Sequence, residues 1–230
     1  MARLRRYCPP GIPQHVIQRG NNRTACFASD ADMAVYAHCL HEAASKFGLM
    51  IHGWVFMTNH IHLLVTPEAD DSLSKGMQFL GLSYVRYFNR TYQRTGTLFE
   101  GRFKSCLVEH SEYFLVCLRY IELNPVRAGM VKDPAHYHWS SYRANAFGRA
   151  AKIWTPHPLY LSLGSTDSER QARYRGLFES RIEGQLMSDI RQSVNRGLAF
   201  GSERFRRELE ELGGRRQRLL RRGPKPRGED

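Results

Sequence analysis

The chain is 230 residues long and 42% hydrophobic, enough to bury one core domain with a smaller appendage. Its 34 Lys and Arg against 22 Asp and Glu leave a formal net charge of +12, and arginine far outnumbers lysine, so the expected partner is a polyanion whose phosphates suit the guanidinium fork. Five scattered cysteines without a Cys-x-x-Cys pair exclude a zinc ribbon or a disulfide framework; with no signal peptide and no apolar run long enough to span a bilayer, a cytoplasmic protein is expected.

Arg3-Leu4-Arg5-Arg6 reads as a short basic arm, and Pro9-Pro10-Gly11-Ile12-Pro13 leads extended into a first strand over His15-Val16-Ile17-Gln18-Arg19. The cluster Gly20-Asn21-Asn22-Arg23 that closes it is either a plain turn or, with Arg19 and Arg23 on its flanks, a phosphate-holding loop. Ser29-Asp30-Ala31-Asp32 is a capping pattern, and Met33, Tyr36, Ala37, Leu40, Ala43 and Ala44 recur at helical spacing until Phe47-Gly48. Met50 to Phe56 predicts a second strand, Thr58-Asn59 a tight connection and Ile61 to Thr66 an antiparallel third.

Asp70-Asp71-Ser72 opens a second helix that runs through Met77, Leu80, Leu82 and Val85 towards Tyr92. Its exit interleaves Arg86, Arg90, Arg94 and Arg102 with Tyr84, Tyr87, Phe88, Tyr92 and Phe99. Two readings fit: arginines and rings that grip single-stranded nucleic acid, or core aromatics beneath a solvated basic face. The basic, glycine-punctuated loop from Arg94 to Arg102 argues for the first. A fourth strand follows from Phe103 to Glu109, then a helix from Ser111 to Leu123 that is apolar nearly all round and is stopped by Asn124-Pro125. The order strand-helix-strand-strand-helix-strand predicts an α+β fold with a ferredoxin-like split βαβ sheet, its first and third strands paired in the centre beneath the two helices.

His60 and His62 alternate within the apolar run from Met57 to Val65, so both point to one side of the third strand. They are either a pair able to share a metal ion or two hydrogen-bonded histidines of a sheet. Tyr120 and Asn124 are four apart on the last helix, and a carboxamide oxygen is a credible third ligand beside two imidazoles. A tyrosine next to such an ion can attack a phosphodiester and keep its energy as phosphotyrosine; alone, Tyr120 would read as a buried aromatic. Tyr113, seven residues earlier, is the next candidate nucleophile.

The motifs His60-Ile61-His62, Tyr84-Val85-Arg86-Tyr87-Phe88-Asn89-Arg90, Arg94 to Arg102 and Tyr120-Ile121-Glu122-Leu123-Asn124-Pro125-Val126-Arg127-Ala128-Gly129 closely resemble the REP-associated tyrosine transposases, single-tyrosine members of the HUH endonucleases. Gln18 to Arg23 and Trp139-Ser140-Ser141-Tyr142 extend the likeness across roughly residues 10 to 145. The resemblance implies an HUH endonuclease core, a Mg²⁺- or Mn²⁺-dependent nuclease and strand transferase acting on single-stranded DNA near palindromic hairpins. By it, Tyr120 becomes linked to a 5′ phosphate while His60, His62 and Asn124 hold the metal, and Glu122 is either a group supporting the ligands or a surface glutamate. Arg19, Asn21, Asn22, Arg23, Arg86, Arg90, Arg94, Arg102 and Lys104 are the expected DNA contacts. Competing readings are an inactive hairpin-binding regulator of DNA or RNA, and a metal-dependent RNase on the same fold.

Beyond Ala150 the composition changes, and Pro156 and Pro158 mark a linker, so the expected division is a catalytic domain over 1–150 and a mostly helical extension over 151–230. Helices are expected near Ser168 to Glu183, Ser188 to Asn195 and after Phe200. Arg215 to Arg227 holds seven basic residues and no acid, a tail suited to salt-sensitive phosphate contacts, though Arg222-Gly223-Pro224 lacks the second arginine of a minor-groove hook. A monomer or a homodimer is expected, bound to the nucleoid when on DNA.

Overall fold

The computed structural model describes residues 7–217; the arm Arg3–Arg6 and the tail beyond Gln217, with Arg222-Gly223-Pro224, lie outside the described residues. Four strands, β1 (Gln14–Arg19), β2 (Leu49–Met57), β3 (His60–Pro67) and β4 (Lys104–Leu107), form one sheet in the order β2-β3-β1-β4. Every pairing is antiparallel, and β1 and β3 sit in the middle, as the split βαβ order requires.

Helix α1 (Asp30–Phe47) starts where the sequence signals it: Ser29 and Asp32 form a reciprocal capping box, and Gly48 ends the helix at a left-handed φ of 64°. Asp32 also accepts from the Tyr87 and Tyr92 hydroxyls of α2 (Ser72–Thr91) and the residue after it, at 3.0 and 2.9 Å, so one buried carboxylate ties both helices together. Tyr84, Phe88 and Phe99 are buried in the core beneath α1 and α2, so these rings of the arginine-aromatic stretch are packing residues and not an exposed stacking platform.

Strand alternation divides the sheet. Val16, Phe56, Ile61, Leu63 and Val65 face α1 and α2, whereas Val55, Met57 and Leu64 face α3 (Glu112–Glu122) on the other side. His62 shares its face with Leu64, so the histidine pair lies opposite α1 and α2, against α3. The third strand thus lies beneath the two earlier helices as expected, with its histidines on the other side: period-2 alternation fixes which residues share a face, but packing alone decides which helix that face meets. Helix α3 approaches closely because β2 carries Gly53, where a Cβ would stand 2.2 Å from Leu118 Cδ1.

Asn124-Pro125 ends α3 but not helical geometry. After Leu123 the chain enters α4 (Asn124–Arg127), with Pro125 in the first turn, where its missing N–H costs no bond. The helices α5 (Tyr142–Phe147), α6 (Pro158–Leu161), α7 (Asp167–Gly176), α8 (Gly184–Arg196) and α9 (Glu203–Gly213) complete the described chain.

The proline-marked stretch runs against the sheet: Thr155 N donates to Ile51 O at 2.7 Å, and the His157 ring stacks on Phe114 with centroids 3.8 Å apart. Phe200 pairs with the end of β4, donating to Leu107 O and accepting from Glu109 N. Among the described residues no helix is long and apolar enough to cross a membrane.

Candidate active site

The central strand β3 supplies His60 and His62, α3 supplies Tyr120, and the first residue of α4 supplies Asn124; all four line one cavity of about 350 Å³. The two imidazole centroids are 5.1 Å apart. Each ring has its Nδ1 engaged: His60 with Asn59 Oδ1 at 2.7 Å, His62 with Nε2 of His15 at 2.8 Å. No hydrogen bond within the described residues engages Nε2 of either, so both rings are held by one nitrogen and keep the other.

Burial, then the Arg19 charge, lowers the pKa of His60 to about 4; burial, reinforced by His15, His60, Arg127 and Arg19, holds that of His62 well below its usual value. Both imidazoles are therefore neutral near pH 7, the state in which they can donate a lone pair.

Tyr120 is 5% exposed, with its ring edge-on to His15 and His62 at centroid distances of 5.9 and 6.1 Å. Its carbonyl accepts from Arg127 Nη2 at 2.6 Å and Asn124 Nδ2 at 3.2 Å, and the same Asn124 nitrogen donates to Ile121 O at 3.1 Å. These bonds satisfy carbonyls left open at the end of α3 and leave Asn124 Oδ1 as the free end of the carboxamide. The Arg127 guanidinium lies 4.2 Å from the centroid of the Tyr120 ring, a cation over the face of the aromatic.

Two imidazole nitrogens and one amide oxygen suit a hard divalent ion that keeps open positions for phosphate oxygens. Among the described residues no group of three or more His, Cys, Asp or Glu is placed to hold an ion.

Of the expected DNA contacts, Arg19, Arg102 and Lys104 line the same cavity. Asn21-Asn22-Arg23 form a single 3₁₀ turn beside it, with Asn22 and Arg23 at positive φ and Asn59 Nδ2 donating to Arg23 O, next door to His60. Arg86 lines a different cavity that shares Arg102 with this one. Arg90 and Arg94 line neither, and Arg94 instead lies over the Phe88 ring. Tyr113 packs edge-on to Phe200 and is not part of the cavity.

Glu122 is neither a surface glutamate nor in the cavity. It is fully buried, accepting from Ser141 Oγ, Asn145 Nδ2 and Tyr174 Oη at 2.5, 2.8 and 2.6 Å.

Five neighbours were not marked by sequence as site residues: His15, Glu100, Arg127, Arg191 and Asn195. His15 stacks on His62 at 18° and is fully buried, its pKa pushed down to about 3 by burial and by Arg127. Arg191 and Asn195 come from α8, and Lys104 Nζ donates to Asn195 Oδ1 at 2.9 Å, joining the far segment to the cavity rim.

The family model described as "Transposase IS200 like" matches residues 11–124, a span that contains all four residues of the cavity's core. The chain belongs to the IS200-like transposase family. A solved REP-associated tyrosine transposase bound to a REP hairpin is similar in fold, with 21% identity, a TM-score of 0.55, and coverage of 68% of this chain and 93% of that one. A protein from Deinococcus radiodurans R1 described as a transposase shares 16% identity over 56% of this chain and 92% of that one, with a TM-score of 0.36. A comparison with curated proteins finds no match. In this IS200-like transposase the family match stops at Asn124, so Arg127, the Glu122 partners and the α8 side chains all lie beyond it.

Proposed function

We propose that the protein is a Mg²⁺- or Mn²⁺-dependent single-stranded DNA endonuclease and strand transferase of the REP-associated type, cutting beside palindromic hairpins through a covalent 5′-phosphotyrosine. The observation that carries this reading is the single cavity in which Tyr120 meets His60, His62, Asn124 and the basic side chains Arg19, Arg102, Lys104 and Arg191.

His60, His62 and Asn124 would hold the ion, which supplies charge neutralisation at a non-bridging phosphate oxygen. Arg19, Arg102 and Lys104 bind the strand so that its scissile phosphate lies at the Tyr120 hydroxyl. Tyr120 Oη attacks phosphorus, its proton passing to water; the P–O3′ bond breaks, and the 3′ oxygen leaves and takes up a proton. One phosphodiester has been exchanged for another, so attack by a 3′ hydroxyl reverses the step without ATP. Arg127 fixes both the ring and the carbonyl of Tyr120 and so holds the nucleophile in place for attack. The reaction belongs to the cytoplasm, on nucleoid DNA, with a monomer or homodimer as the working unit.

A labelled hairpin-bearing single strand incubated with Mn²⁺ tests the proposal. Wild type is expected to give a protein–DNA adduct that survives denaturation; Tyr120→Phe gives none, and His60→Ala or His62→Ala lowers the yield at least about 100-fold while hairpin affinity is kept. Hairpin binding with no adduct from wild type would leave an inactive hairpin-binding protein. Cleavage that persists in Tyr120→Phe would assign the attack to water or another tyrosine.

A further inference from the structure

A second cavity, of about 880 Å³, lies on the opposite face of the sheet from the catalytic tyrosine, between α2 and residues 96–103. Met77, Leu82, Val85, Phe99 and Phe103 form apolar walls, and Leu82 is 61% exposed within an otherwise polar helix surface. Two guanidinium groups, Arg86 and Arg102, bound it, and no acidic side chain lines it. Arg102 also lines the Tyr120 cavity, so the two spaces meet at one side chain.

On the sheet side stands Gln18. It is 8% exposed, no hydrogen bond within the described residues engages its carboxamide, and its oxygen is buried without a partner. A buried amide left unpaired costs free energy that a ligand with a matching polar edge recovers. The space is real on the helix side too: a Cβ built on Gly81 meets nothing within 4 Å.

A ligand that fits this lining is largely apolar, has hydrogen-bonding groups that meet the Gln18 carboxamide, and carries negative charge for Arg86 and Arg102. An apolar peptide would leave Arg86 and Arg102 unpaired. A nucleobase in a strand satisfies all three demands, because its own phosphates flank it. We infer that the cleft takes one unstacked base of the strand delivered to Tyr120, with the Gln18 carboxamide reading its edge and Arg86 and Arg102 holding the flanking phosphates. The inference rests on the endonuclease reading and adds to it a position at which this protein contacts a base instead of the backbone.

The test uses the full-length protein without divalent metal and fluorescent single strands: dT12, the same strand with abasic sites at its centre, dA12 and dC12. Wild type is expected to bind dT12 about tenfold more tightly than the abasic strand. Gly81→Phe, which fills the cleft, should bring dT12 down to the abasic level with the salt slope unchanged, because the phosphate contacts persist. Gly81→Ala should bind as wild type. Gln18→Leu, which keeps the cavity but loses its polar edge, should remove differences among dT12, dA12 and dC12.

A folded Gly81→Phe that still prefers dT12 over the abasic strand would overturn the inference. So would intact DNA affinity together with a changed sedimentation coefficient, which would give the cleft to a second copy of the chain. A Tyr120-dependent adduct from a protein blind to abasic sites would sink this inference alone; a wild type that binds no single strand would sink the endonuclease reading with it.

Discussion

At the scale of single residues, the site turns on how few bonds each functional group has left. His62 spends Nδ1 on His15, so an ion at its Nε2 requires the proton on Nδ1 and the acceptor lone pair on His15 Nε2. That puts the His15 proton on its own Nδ1, which is buried without a partner in the described residues. With an ion at His62, His15 would orient that ligand at some cost in its own hydrogen bonding. Replacing His15 with Ala should weaken Mn²⁺ binding about 10- to 100-fold in a spin-resonance titration. His15→Gln, whose carbonyl can accept from Nδ1–H, should recover part of the loss; equal Mn²⁺ affinity in wild type and His15→Ala would refute the role.

At the scale of elements, α3 is the hinge between the chemistry and the rest of the chain. One side of it presents Tyr120 to the histidine face of the sheet, while Glu122, two residues on, accepts from Ser141 before α5, Asn145 within α5 and Tyr174 of α7. Burial raises the Glu122 pKa to about 7 even though three donors stabilise its charged form. A carboxyl in this position is therefore a junction that fixes where the later helices pack. Truncation to Ala leaves Asn145 Nδ2 and Tyr174 Oη buried without an acceptor, while Ser141 Oγ keeps Trp54 O, and the expected cost is about 3 kcal/mol in urea unfolding. A loss below about 1 kcal/mol would mean that water or rearranged neighbours replace the carboxylate.

The element order itself was readable, since capping residues, period-2 strands and the 3.6-residue helix pattern are local properties. Ser29 with Asp32 and Gly48 bracket α1 where expected. The face against which His60 and His62 lie was not readable, because alternation is symmetric with respect to which layer covers which side.

At the scale of the whole molecule, burial of histidines dominates the response to acid. His52, between Thr66 Oγ1 and Thr155 O, has its pKa lowered to about 4, and His157, stacked on Phe114, to about 3. The unfolded chain takes up these protons below about 6.5 while the folded chain does not, so stability is full above that pH and declines as pH falls towards 4 and 3. Each group contributes a slope of up to about 1.4 kcal/mol per pH unit in that window. His15, His60 and His62 act with the same sign. Glu122 opposes them, since a raised carboxyl pKa adds stability as pH falls from about 7 towards 4.5, but it is one group against five. The urea midpoint should therefore drop steadily between pH 6.5 and 4.5; a flat or rising midpoint would contradict the burial of these rings.

By itself the sequence determined the elements, the shared orientation of His60 and His62, and a basic surface suited to a polyanion. Each follows from chemistry within a few residues or from composition. Only the tertiary structure decided that His15 stands beside His62, that Glu122 is sealed inside, that Arg191 and Asn195 reach the cavity, and that several of the interleaved aromatics are core. Those facts depend on cross-strand register and on how distant segments pack, which no local periodicity encodes.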